Sequence, residues 1–154
     1  MQENYLISIV GLQRADGETG EVKLTTLGSY ITKGTNRFII YKEYNTENSK
    51  LARTSILKVE VGNKVTLMRG GADNTRMILE KGKRHLCQYD TGYGSLMVGI
   101  YTNDVACKLD DSGGTLEVNY TLDINSDLAS INELYITIKE AANKDVKISA
   151  AGDQ

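Results

Sequence analysis

Apolar and polar side chains alternate along most of the chain. Residues 115–124 give the clearest case: Leu116, Val118, Tyr120, Leu122 and Ile124 share one face, and the residues between them are Thr, Glu, Asn, Thr and Asp. A period of two places successive side chains on opposite faces of a β-strand. We therefore predict a strand with one buried and one wetted face.

Shorter runs of the same kind predict about eight to ten strands, some of which merge. Gly, Asn, Asp and Ser separate these runs, and Gly62-Asn63 predicts a two-residue type II′ hairpin. Helical patterning is weak and predicts at most one turn, from Ser126 to Asn132. The candidate strands are 4–12, 21–32, 37–44, 54–61, 64–69, 75–81, 84–90, 95–103, 105–109, 115–124 and 133–140.

Many short strands joined by tight turns indicate an all-β, antiparallel fold. A sheet of this size curls into a barrel or splits into a sandwich, because twist and unpaired edges disfavour a flat sheet. The lack of crossover helices excludes a parallel βαβ arrangement. No linker or repeat divides the chain, so we predict a single domain over 1–154, with a core at about 3–140 and a polar tail at 141–154.

Composition narrows the classes of partner. A net charge of −2 and a pI near 5.5 give no strong electrostatic footprint for nucleic acid or anionic lipid. No apolar run approaches the roughly 18 residues of a membrane span. Two cysteines are too few for a disulfide framework, and the start MQENYLISIV lacks the pattern of a secretory signal. We expect a cytoplasmic protein with no nucleic-acid or membrane partner.

The sequence contains no recognisable catalytic or metal-binding constellation. His85, the single histidine, shares a predicted strand face with Cys87, but one His and two Cys do not supply the four ligands of a structural zinc site. Side chains two apart on one strand diverge, and no Gly-x-Ser-x-Gly elbow is present. We therefore expect no metal, no cofactor and no enzymatic activity.

Tyrosine supplies most of the aromatic surface: there are nine Tyr, one Phe and no Trp. In a barrel with an incompletely filled interior, phenol groups would face a small amphipathic ligand. Alternatively, the tyrosines replace Phe and Trp as half-buried packing with hydrogen-bonded tips. The sequence leaves both interpretations open.

The stretches RHLCQYDTGYGSLMVGIYT and LDDSGGTLEVNYTLDIN resemble the YwiB-like proteins, an uncharacterised bacterial family found mainly in Firmicutes. NYLISIVGLQRADGE, LTTLGSYITKG, FIIYKEY and LYITIKE extend the resemblance over about residues 3–140. It implies a calycin-like, lipocalin-type antiparallel β-barrel and no assigned activity. Gly92 stands where the family usually has proline. The matching marked positions are Arg84, His85, Tyr89, Thr91, Tyr93, Gly94 and Tyr120.

We predict that this barrel binds a small amphipathic or apolar ligand at its mouth. Arg84 would offer a fixed charge to a carboxylate or phosphate. In a regular strand Arg84 and His85 face opposite ways, so only a bulge near Gly82 would bring both to one site. The predicted ligand-binding residues are Arg84, His85, Tyr89, Thr91, Tyr93, Tyr101 and Tyr120.

Two other functions stay open at this point. The protein could act as an interaction module through a barrel face or a strand edge, as a monomer or a homodimer. It could also be a hydrolase built on His85, if the fold places a carboxylate within hydrogen-bond reach of the imidazole.

Overall fold

Ten strands account for most of the chain. The computed structural model describes residues 4–44, 52–70, 75–90 and 93–141, so the predicted tail beyond residue 141 lies outside the described residues. Within these ranges there is no helix. The strands are β1 (Tyr5–Ala15), β2 (Glu18–Lys33), β3 (Asn36–Tyr44), β4 (Ala52–Glu60), β5 (Lys64–Arg69), β6 (Thr75–Glu80), β7 (Arg84–Asp90), β8 (Ser95–Asp110), β9 (Gly113–Ile124) and β10 (Asp127–Glu140).

All ten strands form one antiparallel sheet in the order β6-β5-β4-β3-β2-β1-β10-β9-β8-β7. Strands next to each other in the chain pair as hairpins, and the pairing of β1 with β10 joins the two halves. The two end strands, β6 and β7, are consecutive in the chain and meet across the turn at 81–83. The sheet is thus curled into a nearly closed barrel, which confirms the predicted all-β fold.

The barrel closes at a seam, which we define as the boundary between β6 (Thr75–Glu80) and β7 (Arg84–Asp90). Over these two strands no backbone ladder forms, and the contacts are of other kinds. The thiol of Cys87 donates to the carbonyl oxygen of Arg76 at 3.2 Å. His85 Nε2 lies 2.9 Å from Glu80 Oε1. The seam is therefore held largely by side chains.

Two local predictions are corrected by the structure. The expected strands 95–103 and 105–109 are a single strand, β8, whose pairing with β9 shifts register between Thr102 and Asp104. The predicted helical turn at 126–132 is wrong. Asn125 and Ser126 have positive φ (53° and 73°), and Asp127 already pairs with Ile124. Positive φ at both loop positions makes a tight hairpin turn, after which β10 begins directly.

The hairpin at Gly62-Asn63 is present, but its predicted type is wrong. Gly62 and Asn63 both have positive φ, 97° and 62°, whereas a type II′ turn requires positive φ at its first central residue only. Glu60 pairs with Lys64, so the loop has three residues rather than two.

One half of the lumen is solid. Side chains that alternate along the strands meet there with almost no exposure to solvent. The ring of Tyr30 packs edge-on against Tyr5 at 5.4 Å, and its hydroxyl donates to the carbonyl of Asp110 at 2.6 Å. This part of the core contains Ile7, Ile39, Leu57, Val65, Leu116, Val118, Ile136 and Ile138.

Candidate functional site

The other half of the lumen contains a partly enclosed cavity of about 400 Å³. Ligand pockets in proteins span roughly 300–1,000 Å³ and are mostly apolar. This cavity lies at the lower end of that range, and its lining is predominantly apolar. It is lined by Gln13, Arg53, Arg69, Thr75, Met77, Cys87, Leu96, Val98, Ile100, Leu122, Ile124, Ala129 and Ser130.

Strand β9 shows how one face runs from solid core to cavity. Its inner face begins with Leu116 and Val118, which are fully buried. Tyr120 follows half-buried, and Leu122 and Ile124 then line the cavity. Because alternate residues of a strand share a face, one regular strand serves both halves of the lumen.

Two arginines supply the positive charge at the cavity. Arg53 lies on β4 and Arg69 on β5, and each is on the inward-facing side of its strand. Arg69 Nε is buried without a hydrogen-bond partner and lies 3.4 Å from Glu43 Oε2. Glu43 Oε2 accepts a hydrogen bond of 2.6 Å from Ser55 Oγ. None of the described lining residues is Asp or Glu.

Two tyrosines, the buried Tyr41 and the half-buried Tyr120, lie within the electrostatic reach of Arg69. Burial raises the pKa of Tyr41, and the Glu43 carboxylate raises it further, while Arg69 opposes both. Burial likewise raises the pKa of Tyr120, again opposed by Arg69. Both hydroxyls are therefore neutral at pH 7.

His85 faces the lumen but sits at the seam. It lies directly opposite Ile100, which is 1% exposed. The hydrogen bond from His85 is the main reason that the pKa of the Glu80 carboxyl is lowered. Neither His85 nor Glu80 is among the residues that line the cavity.

Arg84 lies on the outer face of the barrel. It pairs opposite Tyr101, which is 39% exposed, and its Nε and Nη2 donate to Asp123 at 2.9 and 2.6 Å. The pairing of β7 with β8 runs without a register shift. The bulge that would bring Arg84 and His85 to one site is thus not formed.

The remaining candidates are spread over the molecule. Tyr93 is fully exposed. The side chain of Tyr89, and all of Thr91 and Gly92, lie outside the described residues. Of the predicted site residues, the structure turns His85 and Tyr120 towards the lumen and places Arg84, Tyr93 and Tyr101 elsewhere.

Sequence reasoning missed the residues that line the cavity, including Arg53 and Arg69. A signal for Arg69 existed, since it continues the period-two face of Val65 and Leu67. A charged residue at the end of an otherwise apolar strand face indicates the mouth of a lumen. Cys87 lines the cavity and Cys107 is exposed.

Within the described ranges, no group of three or more His, Cys, Asp and Glu residues could hold a metal ion. The same ranges contain no helix that is long and apolar enough to cross a membrane.

The fold and the cavity together define a small antiparallel β-barrel, solid at one end and open at the other. The chain belongs to the family described as Domain of unknown function (DUF1934), whose model matches residues 7–136. It is 24% identical over 122 residues to the "Uncharacterized beta-barrel protein YwiB" of Bacillus subtilis (strain 168), covering 79% of this chain and 83% of that protein.

A solved structure has the same fold. The crystal structure of ywiB protein from Bacillus subtilis matches with a TM-score of 0.77 at 20% identity, over 90% of this chain and 92% of that chain. The comparisons confirm the family resemblance and the barrel. They name no activity.

Proposed function

We propose that this protein is a lipocalin-like carrier that binds a small amphipathic or apolar ligand in the cavity at the barrel mouth. The carrying observation is the partly enclosed, mainly apolar cavity of about 400 Å³ in a barrel whose other half is solid. At about 30 Å³ for a water-sized group, this space holds roughly a dozen heavy atoms. A cytoplasmic setting accords with the two free thiols, Cys87 and Cys107.

The hydrophobic effect supplies enough free energy for such binding. Burying a chain of about ten methylenes gains roughly 8 kcal/mol at about 0.8 kcal/mol per methylene. Loss of translational and rotational freedom offsets part of this gain. We expect a dissociation constant in the micromolar range or weaker for an unbranched chain of this length.

The hydrolase hypothesis has less support from the geometry. His85 does have a carboxylate within hydrogen-bond reach, since Glu80 lies 2.9 Å from its Nε2. However, both residues belong to the seam and neither lines the cavity where a substrate would sit. Contact across the seam accounts for the pair without a catalytic role.

The test is binding of 1-aminonaphthalene, an uncharged and mainly apolar dye whose roughly eleven heavy atoms match the space, followed by its fluorescence and by competition with decanol. Leu122→Trp places an indole in the cavity and should abolish dye binding while thermal unfolding stays cooperative. Tyr101→Trp is the matched control, because it adds an indole on the outer face and should leave dye binding unchanged.

Two results would contradict the proposal. One is that neither the dye nor decanol binds the folded wild-type protein. The other is that dye binding persists in Leu122→Trp and disappears in Tyr101→Trp, which would move the binding surface to the outside of the barrel.

A further inference from the structure

We propose that the outer face of β7–β10 is the interface of a homodimer, in which a patch on one protomer packs against the same patch of its partner. The outer patch, as we call it, consists of two rows of outward-facing residues that cross these four strands. The first row is Leu86, Gly99, Asp123 and Leu128, and the second is Arg84, Tyr101, Thr121 and Ile131. The ligand-binding function proposed above does not use this surface.

The outer patch is unusually apolar for a surface in contact with solvent. Leu86 and Leu128, at the two ends of the first row, are 61% and 65% exposed. Tyr101, Ile131 and the neighbouring Met97 on β8 are exposed as well. Together these five side chains present roughly 500 Å² of mainly apolar surface, within the range of the largest apolar patch on a typical monomer. A patch of this size marks an interaction surface.

A bulge in β10 keeps the outer patch continuous. The pairing of β10 with β9 shifts register between Leu128 and Ser130, and both Ala129 and Ser130 line the cavity. Because two consecutive residues turn inwards there, Leu128 and Ile131 on either side of them both point outwards. Without the bulge, alternation along the strand would place one of these two apolar side chains inside the barrel.

The order of charges across the first row favours a second copy of the chain as the occupant. The guanidinium of Arg84 lies over Gly99 and donates to Asp123 on the next strand. Across β7, β8, β9 and β10 the row therefore presents an apolar, a positive, a negative and an apolar group. A half-turn about an axis between β8 and β9 reverses this order. Each positive group then meets a negative one and each apolar group an apolar one, as a two-fold interface requires.

This arrangement gives the apolar and the charged groups different tasks. Leu86 packs against the partner's Leu128, and burial of such apolar area supplies the affinity. Arg84 lies near the partner's Asp123, and complementary charges of this kind fix the register of an interface more than they strengthen it. With a polar rim around it, the outer patch approaches the roughly 800 Å² per partner of a standard interface. We expect a dissociation constant in the micromolar range.

The charge of the outer patch disfavours other classes of partner. In its two rows, Arg84 is matched by Asp123, so the rows have no excess positive charge. An anionic lipid surface or a nucleic acid attracts surfaces with an excess of Lys and Arg. A second copy of the chain, in contrast, supplies both the apolar area and the inverted order of charges.

The experiment measures the mass of the whole protein by sedimentation equilibrium, from micromolar to near-millimolar concentration. We expect the mass to rise with concentration from the 16.9 kDa of one chain towards twice that value. Leu86→Asp buries an unpaired carboxylate in the dimer and should weaken it roughly a hundredfold or more. Val61→Asp is the matched control, because Val61 is an exposed apolar residue between β4 and β5, outside the patch, and its substitution should leave the dimer unchanged.

Mixing two variants tests the two-fold arrangement directly. Arg84→Glu gives the patch two carboxylates and Asp123→Arg gives it two cations, so each variant alone should be monomeric. An equimolar mixture should dimerise, because every cation then faces a carboxylate. Circular dichroism and thermal unfolding establish that each variant is folded. Should either of them fail to fold, Leu86→Asp mixed with Leu128→Lys makes the same comparison at two exposed positions.

Three results would overturn the proposal. The first is a wild-type protein that remains monomeric at every concentration; if it then sediments with phosphatidylglycerol vesicles and Leu86→Asp does not, the patch binds lipid instead. The second is an equal loss of mass in Leu86→Asp and Val61→Asp, or a loss in neither, which would place the interface elsewhere. The third is a mixture of the two charge variants that stays monomeric, which would exclude the two-fold pairing of Arg84 with the partner's Asp123.

Discussion

Two glycines in strand interiors, Gly28 and Gly99, mark places where another group lies directly against the backbone. A Cβ at Gly28 would collide with the backbone carbonyl oxygen of Ile40 and with Cδ1 of Ile7. A Cβ at Gly99 would come within 2.5 Å of Arg84 Nε and Asp123 Oδ2. The first position needs glycine because rigid core lies against it. The second lets an ion pair cross the strand on the outer face.

We predict that Gly28→Ala and Gly99→Ala differ strongly in their effect on stability. Gly28→Ala overpacks the core against backbone and should cost about 1–3 kcal/mol. Gly99→Ala meets the ends of two side chains on the outer face, the exposed Arg84 and the half-buried Asp123, which can move aside, so its free energy of unfolding should stay close to wild type. Urea unfolding measures both. A larger loss in Gly99→Ala would mean that the outer ion pair is a structural element of the barrel.

At the scale of elements, the seam is the place where the sheet fails to close by backbone pairing. Glu80, at the end of β6, is the centre of its polar contacts: it faces His85 at 2.9 Å, Lys83 at 3.3 Å and, further away, Lys64. The turn at 81–83 contains Lys81 and Lys83, and charged residues protect strand edges from pairing with other chains. The charged residues at the seam therefore protect the edges of β6 and β7 from pairing with strands of other chains.

The seam predicts a pH dependence of stability. The pKa of Glu80 is lowered from its ordinary 4.5, first by the hydrogen bond with His85. Its carboxylate thus stabilises the folded state above about pH 4.5, and this contribution is lost as pH falls through the lowered pKa. The gap in unfolding free energy between wild type and Glu80→Gln should shrink as the pH falls from 6 towards 3.

The control for this prediction is Glu18→Gln, at an exposed position of β2. Its unfolding free energy should follow that of wild type across the same pH series. A gap between wild type and Glu80→Gln that stays constant down to pH 3 would contradict a role for the ionised carboxylate at the seam.

The local sequence pattern predicts the strands but not the residues that line the cavity, because strands depend on neighbours in the chain and the cavity depends on contacts between distant strands. Period two and turn residues depend on neighbours in the chain, so the strand predicted at 115–124 is observed at Gly113–Ile124. The pairing of β1 with β10 and the presence of a cavity in one half of the lumen depend on strands far apart in sequence. The alternation of side chains along a strand predicts that Arg84 and His85 lie on opposite faces, as observed. It does not show which inward-facing residues pack in the core and which line the cavity.

For the molecule as a whole, the unequal filling of the lumen separates the residues that stabilise the fold from the residues that line the cavity. The solid half contains the fully buried side chains, and the open half leaves apolar surface exposed that a ligand would cover. Stability should therefore reside mainly in the first half, and binding in the second. Strand β9 allows a direct comparison, because Leu116 and Leu122 lie on its same inner face, one in each half.

We predict that Leu116→Ala and Leu122→Ala separate stability from binding. Leu116 is fully buried, so its truncation leaves a cavity in packed core and should cost about 3–5 kcal/mol. Leu122 borders an existing cavity, and its truncation should cost about 1 kcal/mol, since fewer contacts are lost there.

A ligand that binds only the folded state raises stability by an amount set by its concentration relative to the dissociation constant. Added decanol should therefore stabilise Leu116→Ala as much as wild type, and Leu122→Ala less. Equal losses of stability with equal responses to decanol would show that the two halves of the lumen are not distinct, because each half would then contribute alike to folding and to binding.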